Sequence, residues 1–277
     1  MALLHVNFFS EVLGLSCSMD VILPELARGQ IGMPGAGRTD DVPVLYLLHG
    51  MSDDHTIWQR RTSIERYAAP IGLAVVMPTT HLGWYTDTCY GLDYFTFIAD
   101  ELPEICHSLF PQLTRERDRT FAAGLSMGGY GAFKLALARP ERFGRAASLS
   151  GALDIIGQMR YAAASSDEGL HVGKPREFWT AAFGEPGEPG FEDNDLLVLA
   201  ERARSICSDA GIAFPELWAW CGTEDGLLDQ NRRVTTALSD MGYSVDYHES
   251  EGAHTWDRWD AQIRPALEFL TGEPAGL

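Results

Sequence analysis

The sequence predicts an α/β fold: one doubly wound, mostly parallel sheet with helices on both faces. Three observations carry this. Short continuous apolar runs, such as Val42 to Leu48 (VPVLYLL) and Leu73 to Met77 (LAVVM), fit strands buried on both faces. Segments of helical periodicity separate them, so consecutive strands can run parallel through helical crossovers. The stretch Phe121 to Gly131 (FAAGLSMGGYG) joins an apolar run to a helix-compatible segment through Gly124-Leu125-Ser126-Met127-Gly128, a G-x-S-x-G pattern in a strand–turn–helix context.

In chain order, His5 to Ser10 and Ser16 to Leu23 are strand-like runs joined by Glu11 to Gly14. They form an antiparallel N-terminal hairpin at a sheet edge, which Pro24 ends. Ala27 to Asp41 carries Gly29, Gly32, Gly35, Gly37 and Pro34 and reads as a surface loop. After the first buried strand, Thr56 to Ala69 is helical up to Pro70. Leu92 to Phe110 is helical through Phe95, Ile98, Leu102, Ile105 and Leu109, with Pro103 as a source of a kink. Thr120 to Ala123, Ala146 to Leu149 and Leu217 to Cys221 are further strands. Asn231 to Met241 is a helix, Tyr243 to His248 the last strand, and Trp256 to Leu270 the terminal helix.

One connection breaks the rhythm. Leu153 to Phe214 separates two core strands, and a connection this long is usually functional. It holds GEPGEPG (Gly184 to Gly190), the aromatics Tyr161, Phe178, Trp179 and Phe183, and a helical stretch from Asp193 to Ser205. The expectation is a single domain over 1–277 with a cap-like insertion at about 153–214 that covers part of a site.

Composition narrows the function classes. With 39 acids against 21 bases the formal charge is −18, which argues against nucleic-acid or anionic-membrane partners and disfavours polyanionic substrates. The five cysteines are scattered, odd in number and form no C-x-x-C pair. That pattern fits a reducing compartment and neither a disulfide framework nor a zinc site, so no metal or other cofactor is expected. MALLHVNFFSEVLG has no Lys or Arg ahead of its apolar residues and alternates as a strand does. No run approaches the ~18 apolar residues of a membrane span. A cytoplasmic protein acting on a small molecule is expected.

The chemistry centres on Ser126. The tight turn lifts its hydroxyl out of the sheet and sets the Met127 N–H at a helix N-terminus, where it can bind an oxyanion. A serine hydroxyl needs a general base, and that base needs an acid to orient it. With this turn the partners follow in the order Ser, Asp or Glu, His. Leu217 to Asp225 (LWAWCGTED) places Glu224 and Asp225 past a strand end, and either can be the acid. Of the histidines after the serine, His171 lies in the insertion and His248 within a strand, whereas His254 occupies the loop after the last strand. His254 is therefore the expected base. The loop after Val42 to Leu48 offers the Met51 N–H as the second oxyanion donor, with His49 as a structural hydrogen-bonder beneath it. Trp84 and Tyr85, in the loop beyond Met77, either line the acyl or alcohol pocket or pack under the insertion.

The segments VLYLLHGM (Val44 to Met51), GWYTDT (Gly83 to Thr88), AGLSMGGYG (Ala123 to Gly131) and LWAWCGTED, with Gly252-Ala253-His254, resemble the tributyrin-esterase group of the esterase D-like α/β hydrolases. That group also includes S-formylglutathione hydrolases and acetyl and feruloyl esterases. The resemblance runs from His5 to about Leu270 and implies an α/β-hydrolase fold and a serine esterase acting on acetyl to butyryl esters. It also implies a Ser126–Asp225–His254 triad, with Asp225 preferred over Glu224, no cofactor, and often a homo-oligomer (dimer or tetramer). At the positions where S-formylglutathione hydrolases usually carry a threonine-cysteine pair, this chain has Ser52 and Asp53. Rival expectations are a carbohydrate esterase acting on acetylated or feruloylated xylan, an S-formylglutathione hydrolase, an acyltransferase, and a non-catalytic binding protein on the same fold.

Overall fold

A computed structural model of the chain describes residues 1–25, 31, 35–164 and 174–276. His171 and part of the Ala27 to Asp41 loop lie outside these. Alternation builds the first two strands. β1 (Ala2–Ser10) and β2 (Leu15–Leu23) pair antiparallel from Ala2 opposite Leu23 to Ser10 opposite Leu15. β1 alternates half-buried and exposed side chains, as an edge strand does.

The later strands need no alternation because both faces are covered. β3 (Val44–Leu48), β4 (Ala74–Pro78) and β5 (Thr120–Leu125) are buried at every position. β6 (Arg145–Leu149), β7 (Glu216–Gly222) and β8 (Val245–Ser250) complete one eight-stranded sheet in the order β1-β2-β4-β3-β5-β6-β7-β8. β2 meets β4 antiparallel; from β4 to β8 all pairs are parallel. This is the α/β-hydrolase architecture. The last strand begins two residues later than expected, leaving Tyr243 outside it as a buried residue whose hydroxyl donates to Ala200 O.

Helices cover both faces. On one side α1 (Ile57–Arg61), α2 (Ile64–Ala68) and α10 (Trp256–Thr271) set Trp58, Tyr67, Trp259 and Ile263 against Leu45, Leu47, Phe121 and Trp220. The single helix expected over Thr56 to Ala69 is broken at Thr62-Ser63. There the Thr62 hydroxyl donates to Trp58 O, and the Ser63 N–H donates to the Asp260 carboxylate of α10. On the other side a short helix α3 (Tyr94–Thr96) runs through one π-turn (Phe97–Glu101) into α4 (Leu102–Leu109). Pro103 lacks the N–H that would donate to Ala99, so the ladder widens just before it.

α5 (Met127–Ala138) lies against the middle of the same face, and its residues from Met127 to Leu137 are all buried. The insertion packs over it as α6 (Ile155–Ala164), α7 (Arg176–Phe183), a 3₁₀ turn (Phe191–Asn194) and α8 (Leu196–Ala210). Asp195 caps α8 by accepting from Leu197 N–H. Trp179, Phe183, Phe191 and Leu196 join the same core as α5 and the sheet. α9 (Leu228–Asp240) then leads from β7 to β8.

Candidate active site

The ends of β3, β5, β7 and β8 and the start of α5 create the site. Ser126, between β5 and α5, has φ +53° and ψ −117°, a conformation strained for a residue with a Cβ. Its own backbone braces the turn: the N–H donates to Leu149 O at 2.9 Å, and the carbonyl accepts from Ala152 N–H at 3.0 Å. The flanking glycines are required by close approach. A Cβ on Gly124 would lie 2.4 Å from Gly128 O, and one on Gly128 would lie 2.5 Å from Leu48 O. The second contact draws the start of α5 onto the end of β3. That brings the Met127 N–H, first in its helix, to the loop carrying the Met51 N–H. Neither N–H donates to another group among the described residues.

His49 holds that loop. Its Nε2 accepts from Thr80 N–H at 3.0 Å, which leaves the ring proton on Nδ1 to donate to Gly50 O at 2.7 Å. Burial lowers its pKa to about 4, so the ring is neutral. The Tyr85 hydroxyl adds a bond to His49 O at 2.9 Å. This is the structural role expected of His49 from the sequence.

Asp225 and His254 follow β7 and β8, the two strands beyond β6 in the sheet. Asp225 is buried; its Oδ2 accepts from His254 Nδ1 at 2.8 Å and its Oδ1 from Leu227 N–H at 2.9 Å. Burial pushes the Asp225 carboxyl up, but the His254 hydrogen bond and charge, the Leu227 N–H and the Ser150 hydroxyl outweigh it. The group is held below the usual carboxylate range. With Nδ1 committed to Asp225, the His254 Nε2 is the nitrogen left for proton transfer. The ring meets Trp259 edge-on, with centroids 4.8 Å apart. The Ser126 hydroxyl makes no hydrogen bond among the described residues.

Glu224 takes a different place from its neighbour: its carboxylate accepts from Gly252 N–H at 2.6 Å and does not reach the imidazole as Asp225 does. Trp84 and Tyr85 do not present a pocket wall. They are 2% and 0% exposed: Trp84 packs under the insertion, and Tyr85 packs against His49 and Gly131 of α5. Trp84 meets Trp179 at a tilt, centroids 5.1 Å apart, and Phe183 edge-on at 5.7 Å, the insertion residues it packs beneath. Both residues have positive φ, near +50°.

Sequence reasoning passed over three supporting residues. Ser150, buried at φ +47°, accepts from the Trp259 indole at 3.2 Å and faces Asp225. Trp259 itself carries only the signal of a helix-face aromatic. Lys134 is one of the chain's two lysines and is buried, donating to Thr86 Oγ1 at 2.8 Å and Asn194 Oδ1 at 2.6 Å. Its charge among apolar helix neighbours was the available clue. Among the described residues no group of three His, Cys, Asp or Glu side chains is placed to hold a metal ion.

The sheet, with the G-x-S-x-G turn between β5 and α5, is that of an α/β hydrolase. The Esterase family model matches residues 23–270, and the chain belongs to that family. It is similar to an acetyl esterase of Caldicellulosiruptor saccharolyticus, 29% identical over 272 residues and covering 98% of each chain. Among solved structures it resembles FphF, a fluorophosphonate-binding serine hydrolase of Staphylococcus aureus, with 28% identity and a TM-score of 0.80 over 98% of this chain and 99% of that one. It also resembles the S-formylglutathione hydrolase FrmB of the same organism, with 29% identity and a TM-score of 0.78 over 98% of each. The diacylglycerol acyltransferase/mycolyltransferase Ag85A of Mycobacterium leprae is 27% identical, over 89% of this chain and 84% of that one.

Proposed function

We propose that the protein is a serine esterase that cleaves short-chain acyl esters, acetyl to butyryl, through an acyl-enzyme on Ser126. The observation that carries the reading is the Asp225–His254 pair at 2.8 Å, at the same sheet edge as the strained Ser126 turn. His254 Nε2 takes the Ser126 proton as the hydroxyl attacks the ester carbonyl. The carbonyl oxygen becomes an oxyanion held by the Met51 and Met127 N–H groups. The same histidine then protonates the leaving alcohol, and afterwards activates water to release the acid. Asp225 fixes the tautomer and stabilises the imidazolium.

The short-chain preference is supported by packing and by likeness. Trp84 and Tyr130 join Trp179 and Phe183 of the insertion in one buried aromatic cluster, which in this reading stops a long acyl chain. The Caldicellulosiruptor relative is named an acetyl esterase. Each methylene buried gains about 0.8 kcal/mol while space lasts, and overpacking then costs roughly 1–3 kcal/mol. The expected kcat/KM for p-nitrophenyl esters peaks between acetyl and butyryl and falls sharply beyond. A maximum at octanoyl or longer contradicts it.

A second reading, thioester hydrolysis of S-formylglutathione, is favoured by the likeness to FrmB. Against it stand the net charge of −18 and the presence of Ser52 and Asp53 where S-formylglutathione hydrolases usually carry a threonine-cysteine pair. Five unpaired cysteines support a reducing, cytoplasmic location. Among the described residues no helix is long and apolar enough to cross a membrane.

A further inference from the structure

We infer that Glu224 is a positioning residue that fixes the loop carrying His254. The inference rests on the Ser126–Asp225–His254 reading and assigns a role to the carboxylate next to its acid. The β7–β8 ladder closes with Gly222 opposite Ser250. Past that point the two chains stay joined: Thr223 N–H donates to Ser250 O at 2.9 Å and Glu224 N–H to Gly252 O at 3.0 Å. The Gly252 N–H then donates back to Glu224 Oε2 at 2.6 Å. Glu224 thus engages both polar backbone groups of Gly252, with its own N–H and its own carboxylate. The second carboxylate oxygen accepts from the Thr223 hydroxyl at 3.3 Å.

This anchor matters because Asp225 and Trp259 set only the imidazole of His254 and not its backbone. Its side chain is 36% exposed, so burial does not fix it. On one side of it the chain enters α10 at Trp256; on the other stands Gly252, two residues away. Gly252 is buried, and its carbonyl packs so close to β7 that a Cβ on Gly222 would lie 2.0 Å from it. Among the described residues its N–H has no acceptor except Glu224. A carboxylate accepting a backbone N–H makes a charge-assisted bond, stronger than a neutral one. Removing it leaves a buried donor unpaired at the root of the histidine loop. Two adjacent acids therefore act on one loop at two points, Asp225 on the imidazole and Glu224 on the backbone.

The test compares E224L, E224Q, D225N and H254A with the wild type, using p-nitrophenyl acetate hydrolysis and the rate of fluorophosphonate labelling. Displacement of a catalytic group by about 1 Å can cost on the order of 10²-fold, so E224L is expected to lower kcat by about tenfold or more. KM stays within about twofold, and labelling slows in parallel. E224Q keeps a side-chain oxygen for the Gly252 N–H and stays within about threefold of wild type. Wild-type kcat in E224L, even with a lowered melting temperature, overturns the inference. So does an E224Q as slow as E224L, which would assign the effect to charge instead of the acceptor. Wild-type rates in D225N or H254A would instead strike the triad reading itself.

Discussion

At the scale of the residue, the site is a set of hydrogen bonds that engage Asp225 and His49 fully and leave His254 with Nε2 free. Asp225 takes His254 Nδ1, and Thr80 N–H takes His49 Nε2. Asp225→Asn is expected to cut kcat by roughly 10²–10⁴, because an amide can impose the wrong tautomer on His254. A loss under tenfold would contradict Asp225 as the acid. His49→Ala leaves Thr80 N–H unpaired, at about 1–3 kcal/mol of stability, takes one of the two donors from Gly50 O, which keeps Asp53 N–H, and loosens the Met51 donor. Lower kcat and lower unfolding free energy are both expected; unchanged kcat would separate His49 from the oxyanion loop. The pH dependence follows from its lowered pKa. His49 stays neutral in the folded state down to about 4, while the unfolded ring protonates near 6.5. Its contribution is therefore full above pH 6.5 and declines as pH falls towards 4.

At the scale of the element, α5 is the member to which the rest is fitted. Its N-terminus presents Met127, Gly128 touches β3, and Lys134 ties it to the Trp84 to Thr88 segment and to the insertion. Burial lowers the Lys134 pKa from 10.5 to about 7, with Asp87 and Asp193 opposing the shift. Between those values the unfolded chain binds more protons than the folded one, so this residue's penalty is full below pH 7 and fades as pH rises. Lys134→Met removes the penalty, so whatever its offset its stability relative to wild type is expected to be higher at pH 6 than at pH 9. Urea unfolding at the two values measures it; a difference that grows with pH contradicts the account. Most elements were legible in the sequence because double-sided burial writes itself as continuous apolar runs, as in Val44–Leu48 and Ala74–Pro78. What was not legible depended on distant partners. The break at Thr62-Ser63 is stabilised by Asp260, far along the chain, and the packing of Trp84 by insertion residues almost a hundred positions later.

At the scale of the whole molecule, the sheet order determines which loops meet. β5, β6, β7 and β8 are neighbours, so Ser126, Ser150, Asp225 and His254 arrive at one edge from separate parts of the chain. The order of Ser126, Asp225 and His254 was readable from the G-x-S-x-G turn and the loops after β7 and β8. The anchoring duty of Glu224 was not, since it appears only when β7 and β8 are paired. The charge of −18 repels anionic substrates over roughly a Debye length, about 10 Å at 0.1 M salt. Raising ionic strength is thus expected to increase kcat/KM for S-formylglutathione more than for a neutral acetyl ester, and equal responses would remove charge as a selector. The most direct test of the account is stoichiometric labelling with a fluorophosphonate, mapped by peptide mass spectrometry while esterase activity is followed. One phosphonyl group per chain on Ser126, lost activity in step with labelling, and a Ser126→Ala variant neither labelled nor active is the predicted result. Labelling at another residue, or esterase activity surviving full modification of Ser126, would contradict it.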